Sequence, residues 1–252
     1  MKIAISLSGL PRQYKKGYEE LKKWFLDRYD CDVYIHTWYD TSTLFKTGHN
    51  FSPNKSYTFI EEDYQNILEL YKPKFHRFQR PIIFDSTDIT SGLGIKLNVS
   101  LANFYSIQAS YNLIAHSNIK YDLVIRTRFD LQFTDYISPE CIFLKDITKV
   151  NPNTLNYFAY SEEQSGRLLE IDDLFAVSSP KIMKTYCDVF PWILYYLFID
   201  TKYKQWIESY ASLENPIYLV NESLLKWHLL SNHIELNPIS SLGSNWTPFI
   251  LR

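Results

Sequence analysis

The chain has 252 residues, 46% of them apolar and 21% charged, with a formal net charge of −2. That is ordinary for a globular protein with one large core, and it argues against a general nucleic-acid binder, which would carry a strong basic excess. Cys31, Cys141 and Cys187 lie far apart without paired spacing, which suggests neither a disulfide scaffold nor a zinc site and fits a reducing, cytoplasmic compartment.

In chain order, MKIAISLSGL is too short and too soon interrupted for a signal peptide or an anchor. Within it KIAISLSG (2–9) reads as a central strand ending in the turn formers Ser8 and Gly9. In GYEELKKWFLDRY (17–29), Leu21, Trp24, Phe25 and Tyr29 recur at helical spacing. CDVYIHTWYD (31–40) reads as a second strand, and the polar residues 41–57, with Gly48 and Pro53, as a loop. IEEDYQNILELYKP (60–73) predicts a helix stopped before Pro73, and KFHRFQ (74–79) a third strand. Polar residues 81–96 precede LANFYSIQASYNLIAH (101–116), a helix with Asn98 or Ser100 as its cap. It leads into YDLVIRTRFDLQF (121–133), read as a fourth strand. LFAVSS (174–179) predicts a further strand, and Pro180 the first turn of the helix after it. VFPWILYYLFI (189–199) is too short to span a bilayer and reads as a buried or interfacial helix. NESLLKWHLLSNHI (221–234) closes the series as a helix with Asn221 or Ser223 as cap.

Strands alternating with helices predict an α/β fold with a mostly parallel, doubly wound, Rossmann-like sheet, whose ligands bind beyond the carboxyl ends of the strands. Three strand ends bring polar groups there: Ser8, Gly9 and Arg12; Thr37, Trp38 and Asp40; and Arg126, Arg128 and Asp130. A two-residue period puts the last three on one side. Burying them is costly unless they are paired, so they form either a structural ion-pair cluster or a face open to a charged ligand. SLSGLPRQY lacks both the G-x-G-x-x-G pattern and the P-loop ending, which disfavours a dehydrogenase or a P-loop kinase. Gly9 still permits a close approach, and Arg12 can pair with a phosphate. His228 and His233 lack metal-site spacing, and His36 reads as structural. Asp172 and Asp173 are a solvated turn or a general base, and Glu222 is a helix-dipole partner or a cleft residue.

The stretches AISLSGLPRQY, DVYIHTW, YDLVIRTRFDL and DDLFAVSS, in that order over most of the chain, resemble glycosyltransferase-like proteins of bacterial polysaccharide loci and large DNA viruses. The R-x-R-x-D stretch is the most specific of them. The resemblance implies a GT-A type fold, with a donor-binding portion over 1–135 merging into an acceptor-binding and catalytic portion over 136–252. It implies transfer of a sugar from a nucleotide-sugar donor to a glycan or a lipid- or protein-linked acceptor, in a bacterial or virus-infected host cytoplasm with peripheral membrane contact left open. No nucleic-acid partner and no transmembrane segment are expected. Ser8, Gly9, Arg12, Thr37, Trp38, Arg126, Arg128 and Asp130 would surround the donor. In the GT-A pattern a D-x-D motif holds Mn2+ or Mg2+ against the diphosphate. Here Asp130 is followed by Leu131 and Gln132, and Arg128 stands at the first acidic position. Asp130 is therefore the metal-ligand candidate, and neutralisation of the diphosphate by arginines the alternative. An inverting transfer makes Asp173 the general base, with Asp172 beside it and Glu222 in reserve. One or both of the polar segments 41–57 and 81–96 would close over the donor. The competing readings are a sugar-nucleotide nucleotidyltransferase and a non-catalytic nucleotide- or sugar-binding module.

Overall fold

The computed structural model describes residues 1–43, 45–46, 56–84, 97–133, 146–160, 171, 173–209 and 221–242. In chain order its elements begin with β1 (Lys2–Ser8), α1 (Tyr14–Leu21, prolonged by a π turn at Lys22–Leu26) and β2 (Asp30–Trp38). The short strands β3 (Phe45–Lys46) and β4 (Ser56–Tyr57), α2 (Glu61–Tyr71), β5 (Phe75–Gln79), α3 (Leu97–His116) and β6 (Leu123–Thr127) follow. The second half holds β7 (Leu155–Tyr160), β8 (Ala176–Ser178), α4 (Pro180–Cys187), α5 (Ile193–Phe198), α6 (Thr201–Ser209), α7 (Asn221–Ser231) and β9 (Leu236–Leu242).

Ile3, Ile5 and Leu7 of β1 face one side of the sheet, and Ala4, Ser6 and Ser8 the other; all six are buried. Burial on both faces is what a central parallel strand requires. The seven-stranded sheet runs β5-β2-β1-β6-β8-β7-β9. Its first four strands are mutually parallel, β8 is antiparallel to β6 and β7, and β9 is parallel to β7. The sheet is therefore mixed, and it continues unbroken from the first half of the chain into the second. Ile3, Ile5, Leu7, Val33, Ile35, Leu123 and Ile125 pack with residues of α1 and α2 on one face. Ala4, Tyr34 and Val124 pack with residues of α3 and α4–α7 on the other.

The chain steps outward from β1 to β2 to β5, then α3 carries it back so that β6 lands on the other side of β1. The reversal creates a switch point between β1 and β6, with its crevice at their carboxyl ends. α3 lies over it: Ser110 Oγ meets Ser6 Oγ at 2.7 Å, and one turn earlier Ser106 Oγ accepts from the Gly9 N–H at 3.1 Å.

Several local expectations change. α3 already runs at Leu97, so Asn98 and Ser100 lie inside it; Asn98 Oδ1 accepts from the Phe84 N–H at 2.8 Å, and Ser100 is buried. β6 stops at Thr127 instead of continuing to residue 133. The loop expected over 41–57 contains the antiparallel pair β3–β4. β7 and β9 escape sequence reading; β9 is polar and holds Pro238, which sits at a register shift where a missing N–H is tolerated. Pro180 does open α4. Cys141 and most of 41–57 and 81–96 lie outside the described residues.

Gly17 sets how closely α1 approaches the turn after β6. A Cβ at that position would lie 1.7 Å from the Phe129 carbonyl oxygen, so any larger residue must push helix and turn apart. Glu20, on the same helix, accepts from the Phe133 N–H at 2.8 Å and ties down the other end of the segment.

Candidate functional site

The turn after β1 is shaped by Gly9, whose φ of 107° is a conformation that side chains with a Cβ resist. Its N–H donates to Ser106 Oγ, which lies 2.8 Å from His36 Nδ1, while His36 Nε2 is 3.4 Å from Gln79 Oε1. A neutral imidazole with its proton on Nε2 satisfies the whole relay: Gly9 N–H to Ser106, Ser106 O–H to His36, His36 Nε2–H to Gln79. Sequence reading missed Ser106, because a serine inside a helix carries no signal until its buried partner is known. Thr37 and Trp38 are both buried. The Thr37 hydroxyl donates to the Trp38 carbonyl, and Trp38 stacks on Tyr105 of α3 with ring centroids 5.4 Å apart. Trp38 thereby fastens the end of β2 to α3.

Beyond β6 the chain turns, and Asp130 is folded inward with 1% of its side chain exposed. Arg128 Nε and Nη2 donate to its two oxygens at 2.9 Å each, and Arg12 Nη2 donates at 2.8 Å. Arg12 comes from the turn after β1, so this carboxylate joins the two loops that flank the switch point. Fork-on-carboxylate geometry of this kind is strong and directional. The two guanidiniums retain side-chain exposures of 21% and 19%, which leaves part of each facing outward.

Arg126 differs from both. It is the last-but-one residue of β6, in register with Ser6 on one side and Ala176 on the other, and it faces α3 and α4 with 1% of its surface exposed. Among the described residues neither its Nε nor its Nη1 has a hydrogen-bond partner. The hydroxyls of Ser8, at the end of β1, and Ser100, in the first turn of α3, are likewise buried without partners. Burying guanidinium N–H groups without acceptors is costly for a core. The alternation read from the sequence therefore splits: Arg126 alone belongs to the strand face, while Arg128 and Asp130 form a separate cluster in the turn.

Asp173 precedes β8, whose antiparallel register with β6 carries it past the carboxyl end of that strand. It is buried, and Asn103 Nδ2 of α3 donates to its Oδ2 at 2.7 Å. Asn103 stands one turn before Ser106, so Gly9 and Asp173 are held to the same stretch of α3. Glu222 is half-buried in the first turn of α7. Asp172 lies outside the described residues.

Positive charge dominates this edge, with Arg12, Arg126 and Arg128 set against Asp130 and Asp173. The arrangement suits an anion with several oxygens, such as a diphosphate. The divalent cation implied at Asp130 is a poor fit for the groups present. Both oxygens of that carboxylate already accept from arginines, and a cation there would have to displace one guanidinium beside the other. Among the described residues no group of three or more His, Cys, Asp or Glu side chains comes together as a metal site.

Burial depresses two imidazoles, and the depression has a pH consequence. His36 and His228 are both pushed down from 6.5 to about 4. His228 accepts from the Tyr196 hydroxyl at Nδ1 and donates from Nε2 to the Thr185 carbonyl. The unfolded chain takes up protons on these rings below pH 6.5, whereas the folded chain does so only near 4. Their stabilisation is thus complete above the first value and is lost as pH falls toward the second, by about 3 kcal/mol for each ring. Urea unfolding across that interval should show falling stability, with roughly half of the histidine contribution absent in His228→Gln. An identical pH slope in wild type and variant would show that His228 is not held neutral.

No protein-family model matches the chain, and no curated protein matches it either.

Proposed function

We propose that this chain is a glycosyltransferase of GT-A-like architecture that moves a sugar from a nucleotide-sugar donor to a hydroxyl acceptor. The observation that carries the reading is the buried side chain of Arg126 at the switch-point crevice, whose Nε and Nη1 have no hydrogen-bond partner among the described residues. A donor diphosphate would supply the missing acceptors. Arg12 and Arg128, held in place by Asp130, would meet its outer oxygens. Ser8 Oγ adds a buried donor at the end of the neighbouring strand.

In an inverting transfer the acceptor oxygen forms a bond to the anomeric carbon as the bond to the diphosphate oxygen breaks. The leaving nucleoside diphosphate departs with the electron pair, and the guanidiniums offset its growing charge. Asp173 takes the proton of the acceptor hydroxyl, with the Asn103 amide fixing the direction of its carboxylate. Arginine neutralisation replaces the metal of the D-x-D pattern, so EDTA should leave nucleoside-diphosphate binding unchanged.

Thermal shifts with UDP, GDP, CDP and dTDP test the reading directly. One of them, at about 100 times its Kd, should stabilise the fold by about 2.7 kcal/mol, while NAD and free sugars do not. Absence of stabilisation by all four would overturn it. With donor and acceptor in hand, Asp173→Asn should bind the nucleotide nearly as wild type does and turn over about 10²–10⁴-fold more slowly.

A further inference from the structure

Residues 189–199 carry no charge, yet the segment is only half buried. Ile193, Tyr196 and Leu197 face the core, whereas Trp192, Leu194, Tyr195, Phe198 and Ile199 are 42–67% exposed and form one outward ledge along the 3₁₀ turn at Phe190–Trp192 and α5. Contiguous apolar exposure of this kind marks an interaction surface.

Charges bracket the ledge unevenly. Lys181 and Lys184 are exposed on α4 before it, and Lys202 is exposed on α6 after it. Asp188 accepts from Gln108 and pairs with Lys184 at 3.4 Å, which neutralises that lysine, while Asp200 accepts from the Trp227 indole N–H and the Lys202 backbone N–H. Glu208 is exposed at the far end of α6. What faces outward is therefore an aromatic and aliphatic strip with the ammonium groups of Lys181 and Lys202 at its two ends.

We propose that this ledge docks the protein on an anionic lipid bilayer. Tryptophan and tyrosine favour the headgroup level, leucine, phenylalanine and isoleucine the acyl boundary, and the lysines the anionic surface. Size argues against a protein partner, since five side chains fall far short of the roughly 20–30 residues a side of a stable protein interface. Among the described residues no helix is long and apolar enough to cross a membrane, so the contact is a peripheral one. Phe190, two residues before Trp192, packs on Tyr105 with centroids 5.4 Å apart, and Tyr105 stacks on Trp38 at the carboxyl edge of the sheet. The ledge therefore adjoins that edge of the sheet. On the transferase reading, and only there, the acceptor would be carried on a lipid.

The test is flotation of the full chain with vesicles of phosphatidylcholine, with and without phosphatidylglycerol. Wild type should float with the anionic vesicles, and Trp192→Ser combined with Phe198→Ser should weaken the binding by about tenfold or more. Lys181→Glu combined with Lys202→Glu should erase the preference for phosphatidylglycerol. All four positions face solvent or the exposed rim, so melting temperatures should stay close to wild type. Equal flotation of wild type and the Trp192/Phe198 variant, or no flotation of wild type with either vesicle, overturns the proposal. So does a wild-type dimer in light scattering that becomes monomeric in that variant, which would make the ledge a protein interface. None of these readouts depends on nucleotide binding, so the ledge and the transferase reading fail separately.

Discussion

Arg126→Met is expected to raise the stability of the protein while removing its affinity for nucleoside diphosphates. The side chain is 1% exposed, with Nε and Nη1 lacking hydrogen-bond partners among the described residues. Among the described residues no ion pair or hydrogen bond offsets the desolvation of those two nitrogens. Methionine has a similar length and no charge, and it would pack with Met183 and Cys187 in the same core region. Replacing buried ionic groups with apolar residues of similar volume is often neutral or stabilising by about 1–4 kcal/mol. The ligand complex should respond in the opposite sense. Removing one partner of a desolvated charge pair costs about 2–5 kcal/mol of binding. Urea unfolding and calorimetry on the same variant give both numbers. A variant that unfolds more easily than wild type would show that Arg126 is a structural residue with a partner in the folded chain. A variant that is more stable but binds nucleotide unchanged would separate the guanidinium from the ligand.

The parallel half of the sheet was legible because β1 and β2 are compact β-forming runs and the helices between its strands carry apolar stripes. KIAISLSG and CDVYIHTW could hardly be anything else, and the switch point follows from their order. β9 was not legible. Its LNPISSL sequence is polar and contains a proline, and only the register shift opposite Tyr157 explains why a strand can form there. The R-x-R-x-D stretch misled in a more instructive way. Phe129 and Leu131 continue the alternation of β6, but they are buried in a turn pressed against α1, where Gly17 admits the Phe129 carbonyl. Loop packing thus imitated a two-residue period and set Arg126 beside two groups that belong to a different cluster. Asn103 and Ser106 were invisible for another reason. Their value lies in partners some 70 to 97 residues away, and nothing in a helical stretch announces a long-range acceptor.

Asp130→Asn is expected to loosen both loops at the crevice and to lower stability by about 3 kcal/mol, the lower end of the span for breaking a buried ion pair. The lower end applies because the charges left behind are Arg12 and Arg128, whose side chains are about one-fifth exposed and can turn to water. An asparagine keeps one acceptor oxygen but points an amide N–H₂ at a guanidinium where an oxygen accepted before. Arg12 reaches Asp130 from the turn that follows Gly9, and Arg128 reaches it from the turn pinned by Gly17. Losing the carboxylate should therefore splay the β1 and β6 ends apart and weaken nucleotide binding, although both arginines remain. Pairing the change with Arg128→Met tests the mechanism. The double variant should recover part of the lost stability, because one of the two guanidiniums that lost the carboxylate has gone, and it should bind nucleotide no better than Asp130→Asn alone. Strict additivity of the two stability losses would mean that Asp130 and Arg128 do not interact. Nucleotide affinity that EDTA lowers in wild type, but not in Asp130→Asn, would instead make Asp130 a metal ligand and displace the arginine account.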